Sequence, residues 1–307
     1  MTARIEINKP DIVRNISDGV SWGQTYIVAA KKAGFRVVEP PDLPESNTRL
    51  FLGDEILESY LADLRLSMYF LAAYDRTVEE LENITSTDIT LVPSEASRRQ
   101  VSKDLAKSEA RKVRRVGFPV DIAGIEKMQV AWEDRVPKSV CWVGRADDDK
   151  GLELEEDVIR VLSAQGYHVS HFAPDEDKNG FLNSLRTLGV EVVVGARGEE
   201  LFRQIALKKY VINTSQFESL GVGLIEAAAL GLIPLAPSRA SNGPNDWLPK
   251  SLRFAPEGSG LVELLNKLET ISGENDIFDQ VRQNISYYTI ERYFGRVLQI
   301  VANHERR

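Results

Sequence analysis

The chain is poor in cysteine and histidine. Of 307 residues one is Cys and three are His, and none of the histidines precedes His168. A lone Cys141, set in an apolar run, reads as a buried thiol. It can form no disulfide within the chain, which fits a reducing cytoplasm. No apolar run approaches the length of a membrane span. The opening MTARIEINKPD lacks the apolar core of a signal peptide, so the expected location is cytoplasmic. Basic residues are outnumbered, 38 Lys and Arg against 46 Asp and Glu, and a net charge of −8 disfavours generic nucleic-acid binding. What the chain does have is apolar content: 43% hydrophobic residues over this length supply two cores, and the length favours two domains.

The most informative stretch is Tyr210 to Pro237, YVINTSQFESLGVGLIEAAALGLIPLAP. Val211–Thr214 is short, apolar and β-branched, the pattern of a buried strand. A loop with Gly221 and Gly223 follows, then a helix of good formers from Leu224 to Leu230, stopped by Gly231. Leu232–Ala236 is the next strand. A strand, a glycine loop and a helix N-terminus form an anion site: first-turn N–H groups lack intrahelical partners, and the helix dipole favours negative charge. Two carboxylates, Glu218 and Glu226, flank that loop. Acids beside a phosphate site suit sugar and ribose hydroxyls, because a carboxylate accepts hydrogen bonds from neighbouring hydroxyls.

Glu218 and Glu226 resemble the E-x7-E motif of retaining GT-B glycosyltransferases, most like family 4. Ser215, Glu218, Gly221, Glu226, Ala227, Ala229, Gly231 and Pro234 match the family's spacing. Ser219 and Leu220 depart from it, standing where Gly and Phe are usual. Upstream, Ser139–Val143 reads as a strand that runs into Gly144, Arg145, Lys150 and Gly151, which resemble the family's G-R-x4-K-G segment. The resemblance implies a nucleotide-diphosphate sugar as donor and no cofactor. Arg145 and Lys150 would hold the diphosphate, Glu226 the ribose and Glu218 the transferred sugar. The loop residues Ser219, Leu220, Gly221, Val222 and Gly223 would line the donor, and catalysis would rest on Arg145, Lys150 and Glu218. It implies an α/β chain of two Rossmann-like domains facing across a cleft, with a C-terminal helix crossing back to the N-terminal domain. The expected boundaries are 1–136 for a shortened acceptor-binding domain, 137–286 for the donor-binding domain and 287–307 for the returning helix, packed through Tyr287, Tyr288, Tyr293 and Phe294.

Alternation of β and α elements marks the second half as a parallel sheet covered by helices. Strands are expected near 140–143, 167–172, 190–194, 210–214, 232–236 and 252–255. The first half is less regular. It reads as a helix over about 24–33, strands at 36–39, 49–52, 89–92 and 113–118, a long helix from Ile56 towards Tyr74, and a Ser94-capped helix running to about Lys107. The linker falls within 122–138.

Several further features carry two readings each. Gly19, with Gly23, is either a glycine loop approaching the donor phosphates or a plain helix entry. Gly195–Gly198, with Arg197, follows a strand's C-terminal end and, by resemblance, lies near the nucleotide base. Asp54 either caps a helix or binds an acceptor hydroxyl. Asp147–Asp149 contains a D-x-D pattern, but Arg145 and Lys150 already supply positive charge there, so no metal is expected. Arg99, Lys103, Lys107 and Arg111 recur every fourth residue. That face is either a solvated helix surface or a contact, led by Arg99 and Lys103, for an anionic acceptor, a membrane surface or nucleic acid. The histidine with which many family members touch the donor sugar is missing from the first half. Two functions compete with sugar transfer to an acceptor hydroxyl: a noncatalytic sugar-nucleotide-binding or partner subunit, and transfer to a hydroxylated DNA base. Sugar, nucleotide, acceptor and oligomeric state are not named by the sequence.

Overall fold

The computed structural model describes residues 11–14, 21–38, 48–52, 64–68, 84–103, 105–146, 150–177, 180–239, 242–270 and 274–305. It divides into two compact units, residues 1–121 with 287–307, and residues 122–286. Each is built on a six-stranded, wholly parallel sheet.

In the first unit the strands are β1 (Asp11–Arg14), β2 (Val37–Val38), β3 (Thr48–Leu52), β4 (Leu64–Met68), β5 (Ile89–Val92) and β6 (Val113–Arg115), in the order β2-β1-β3-β4-β5-β6. Ile12, Leu50, Leu66, Met68 and Leu91 are buried, as a parallel sheet covered on both faces requires. The strand β4 overturns the expected long helix from Ile56 to Tyr74. Over LRLSM apolar and polar residues alternate with period two, and Leu66 and Met68 both point into the core. Helix α1 spans Ser21–Lys32. Helix α2, Glu95–Ser102, is capped by Ser94, whose Oγ accepts from Ser97 N at 3.0 Å. The chain then turns, Leu105 packs on the Ile84–Val92–Val101–Val113 cluster, and an extended Ala106 (ψ 151°) starts a separate turn at Lys107. Arg99, Lys103, Lys107 and Arg111 therefore do not share one helix face. The C-terminal helix, Ile290–Glu305, belongs to this unit. The Tyr26 ring meets Phe118, Tyr293 and Phe294 edge-on, and the buried Tyr26 and Tyr293 hydroxyls lie 3.0 Å apart.

The second unit follows the expected alternation closely. It comprises β7 (Ser139–Val143), α3 (Leu152–Ala164), β8 (His168–Ala173), α4 (Phe181–Thr187), β9 (Glu191–Val194), α5 (Gly198–Ile205), β10 (Tyr210–Ile212), α6 (Val222–Ala229), β11 (Ile233–Pro237), β12 (Arg253–Phe254), α7 (Gly258–Thr270) and α8 (Glu274–Ile285). The order β12-β11-β10-β7-β8-β9 is the dinucleotide-binding arrangement: the chain winds outward from β7 to β9, then restarts on the other side of β7 with β10. Residues 122–136, assigned from the sequence to the first domain and its linker, pack with the second unit. Gln129 Nε2 donates to Ala229 O, Val136 N to Leu207 O, and the buried Arg135 guanidinium to the carbonyls of Val130, Lys208 and Leu230.

Candidate functional site

Sheets of this kind bind ligands beyond the C-terminal ends of the strands flanking the switch in winding direction. Here those strands are β7 and β10. After β7 come Gly144, the exposed Arg145 and, at the end of the loop, Lys150; after β10 come Asn213, Thr214, Ser215 and Glu218. The two loops are joined. Lys150 Nζ and Glu218 Oε2 form an ion pair at 3.2 Å, with the side chains 22% and 15% exposed. Asn213 Nδ2 donates to Glu218 Oε2 at 3.4 Å and to Ser215 Oγ at 3.2 Å, and the Ser215 hydroxyl lies 3.5 Å from the same carboxylate oxygen. Thr214 Oγ1 donates to Lys150 O at 3.0 Å. Gly151, between them, has φ +71°, and a Cβ there would collide with the Thr214 carbonyl. Only glycine allows the loops this close.

Gly221 precedes α6 with φ +77° and has no side chain to cap the helix. A Cβ on Gly221 would meet Pro244 Cγ at 2.8 Å, so the Glu218–Gly221 loop is pressed against the segment that begins β11's C-terminal connection. That segment fixes the loop from behind: Gly243 N donates to Glu218 O at 2.7 Å and Trp247 Nε1 to Leu220 O at 3.2 Å. Ser219 and Leu220, the departures from the family pattern, are buried here. They serve as packing positions rather than surface ones. Gly223, in the first turn of α6, lies with its Cβ direction 3.7 Å from Val143 O, which puts the helix N-terminus at the end of β7. Val222, Gly223 and Leu224 thus present first-turn N–H groups beside the Lys150–Glu218 pair.

Glu226 stands one turn into α6 and is half-buried. Its carboxyl meets no hydrogen-bond donor among the described residues, and burial pushes its pKa up to about 7. A carboxyl in that condition is poised to accept from a ligand hydroxyl. Arg197 lies further along the same edge, at the N-cap position of α5, where its side chain makes no cap but donates to Asp175 Oδ1 at 2.8 Å and Pro174 O at 3.3 Å. The structure thus gathers Lys150, Glu218, Gly221, Val222, Gly223 and Glu226 at one strand-end site, with Arg145 on the β7 loop. Gly19, Asp54 and Asp147–Asp149 lie outside the described residues. Arg99 and Lys103 belong to the first unit, exposed on and just after α2. Sequence reasoning missed Asn213, which orients Glu218; the polar N-T-S run at the end of an apolar strand was the available signal. Among the described residues no group of three His, Cys, Asp or Glu side chains is placed to hold a metal ion, and no helix is long and apolar enough to cross a membrane.

No protein-family model matches the chain, and no curated protein matches it. Solved structures do. A glycosyltransferase from Rickettsia africae superposes with a TM-score of 0.74 at 12% identity, over 96% of this chain and 98% of that one. Sucrose-phosphate synthase from Thermosynechococcus elongatus gives 0.74 at 14% identity, over 96% and 99%. The fold is GT-B. Anabaena HepE, in a structure with UDP and glucose, shares this GT-B architecture with a TM-score of 0.70 at 11% identity, over 96% and 99%. At these identities the likeness establishes the fold, with its two sheet-bearing units, and leaves activity to the residues of the site.

Proposed function

We propose that the protein is a retaining glycosyltransferase, moving a sugar from a nucleotide-diphosphate sugar to an acceptor hydroxyl. One observation carries the reading: a cation pair, Arg145 and Lys150, an uncapped helix N-terminus and two carboxylates occupy the switch point of a dinucleotide-type sheet. Each part has a role. Arg145, Lys150 and the first-turn N–H groups of α6 meet the negative charge that grows on the diphosphate as the bond from sugar C1 to the phosphate oxygen breaks. Glu226 accepts from the ribose hydroxyls. Glu218, held by Lys150 and Asn213, accepts from the hydroxyls of the transferred sugar. The acceptor oxygen attacks C1 from the face the diphosphate leaves, and its proton passes to the departing phosphate oxygen. No side chain is needed as nucleophile, and the charge is met without a metal. The UDP and glucose held by Anabaena HepE make UDP-glucose the first donor to test.

The acceptor is assigned to the first unit. Arg98, Arg99 and Arg115 surround Glu95 at the C-terminal edge of β5 and β6, and the hydrogen bond from Arg98, followed by the charges of Arg98, Arg99 and Arg115, holds the Glu95 carboxyl below its ordinary range. A cation-rich edge suits an acceptor bearing phosphate or another anion, at a membrane surface or free in the cytoplasm. The test is a screen of nucleotide-sugars for release of free nucleoside diphosphate, run in EDTA. Release with at least one donor, stimulated by an acceptor, is expected. Binding of donors without any release would assign the chain to the noncatalytic alternative, and release that needs added Mn²⁺ would bring Asp147 and Asp149 into the site.

A further inference from the structure

Behind the Gly144–Lys150 loop lies a charged pair that the proposed reaction does not use. His171 is on β8, beside β7, and Glu155 is in the first turns of α3. Their side chains are 3% and 2% exposed, and His171 Nδ1 lies 2.5 Å from Glu155 Oε1. The other ring nitrogen, Nε2, lies 3.3 Å from the carbonyl oxygen of Gly144. An aliphatic residue would fill this position of a covered parallel strand at lower desolvation cost. Both neighbours of the ring are acceptors. A neutral imidazole has one N–H and can serve only one of them, whereas an imidazolium serves both. Burial opposes that charge, but the Glu155 carboxylate, the Gly144 carbonyl and the more distant Asp177 outweigh it, and the His171 pKa is raised. Glu155 and Asp177 are the charged groups facing the ring, and the Phe181 ring lies edge-on to it at 6.5 Å.

The pair stands beside both described ends of the cation segment: His171 Nε2 lies 3.3 Å from Gly144 O, and Glu155 N donates to Gly151 O at 3.0 Å. Gly144 immediately precedes Arg145, and α3, which carries Glu155, begins directly after Lys150 and Gly151. We infer that His171 and Glu155 form a proton-dependent clamp on this loop, positioning Arg145 and Lys150 for a nucleoside diphosphate. The inference rests on the donor-site reading above. Loss of the proton leaves the Gly144 carbonyl facing a lone pair, so that Gly144 is held only through its N–H to Phe172 O at 3.0 Å. Neither residue touches the donor; both act through the loop.

The clamp makes proton and ligand binding reciprocal. With three histidines in the chain, imidazole resonances of the full-length protein can be assigned by single His→Gln variants and titrated with and without UDP. His171 is expected to titrate above the ordinary imidazole range, and saturating UDP should raise its midpoint further. Calorimetric UDP affinity should fall about tenfold as pH rises through that midpoint, the size of one lost charge-assisted contact. In Glu155→Gln both midpoints should move down together, which a merely structural role for the pair would not produce. In the turnover assay the variant should raise donor KM more than it lowers kcat. A UDP affinity that stays constant across the His171 midpoint, or a midpoint that UDP does not move, overturns the clamp while leaving the donor site standing. If UDP, GDP and ADP all fail to bind at any pH, the donor site and the clamp fall together. The wild-type measurements decide the matter even if Glu155→Gln does not fold.

Discussion

The two units share a plan, six parallel strands, and differ in what stands at the strand ends. In the second, the switch between β7 and β10 gathers Lys150, Glu218, Asn213, Ser215 and a bare helix N-terminus, with Gly151 and Gly221 allowing the close approaches there. In the first, the described strand ends of β5 and β6 present a Ser94-capped helix and exposed arginines, with Glu95 among them. A helix whose N-terminus is already capped by its own serine has less to offer a phosphate; one begun by glycine has more. On the proposed function, donor chemistry falls to the second unit, and the first offers a broad cationic edge.

The sharpest way to separate the units is to break the framework of one. Arg135 is buried with no carboxylate partner among the described residues, donating to three backbone carbonyls, Val130, Lys208 and Leu230, the last of these at the C-terminal end of α6. Desolvation lowers its pKa to about 10, yet it remains charged at neutral pH. Arg135→Met strands those carbonyls and should cost the second unit roughly 3–5 kcal/mol. Trp132, Trp142 and Trp247 all lie in that unit, so a denaturant melt followed by tryptophan fluorescence reports it. A loss below about 1 kcal/mol would contradict the assignment of 122–136 to this unit's core.

A second break leaves the fold intact. Arg145→Ala and Lys150→Ala should each lower turnover at saturating donor by about a hundredfold, or ~3 kcal/mol, the usual effect of removing one preorganised charge contact. Near-normal turnover in both would remove the diphosphate role from this loop.

The fold class was legible in the sequence, the elements of the second unit more fully than those of the first. The second unit's strands are covered on both faces, so SVCWV, YVI and IPLAP appear as unbroken apolar runs that periodicity cannot confuse with an amphipathic helix. In the first unit, β4 is LRLSM, which also places Leu64 and Met68 four apart as a helix would; only the neighbouring strands decide. Local pattern failed likewise after Ser102, where Leu105's packing ended a helix that side-chain spacing alone would continue. Lys150, Glu218 and Glu226 were singled out because they sit in short local motifs, which the fold brings to one strand end. Arg135 and the His171–Glu155 pair were not, because each acts on residues far off in sequence: Arg135 reaches Leu230, and His171 reaches Glu155 and Gly144. Asn213 was missed although Glu218 is only five residues on, because the polar N-T-S run after the strand reads, in the sequence, as part of it.

A third test uses pH. Burial raises the Glu226 carboxyl from 4.5 to about 7, so the folded state keeps a proton that the unfolded state has lost. Stability therefore declines as pH rises from about 4.5 through about 7, by at most about 3 kcal/mol, and is not regained above it. Glu226→Gln should flatten that decline and exceed the wild type in stability at pH 8 or so. A parallel decline in the variant would mean that Glu226 is not the group responsible.

The smallest effect is expected in the first unit. Reversing Arg99 and Lys103 together to Glu should leave donor affinity unchanged and weaken acceptor engagement severalfold, more so at low salt. If donor affinity changed instead, the division between the units would be wrong. Unchanged acceptor kinetics, with unchanged retention on anionic vesicles and on DNA, would return the patch to an ordinary solvated surface.

The central claim is that the β7–β10 switch point of the second unit binds a nucleoside diphosphate through one carboxylate and its sugar through the other. Calorimetric titration of Glu218→Gln and Glu226→Gln with UDP and with UDP-glucose, at about pH 8 where Glu226 is ionised, tests it most directly. Glu226→Gln should weaken both ligands, because both carry the ribose. Glu218→Gln should weaken UDP-glucose alone and leave UDP equal or tighter, since Lys150 is freed from its partner at 3.2 Å. Equal weakening of UDP by both variants, or no change in either, would contradict the account.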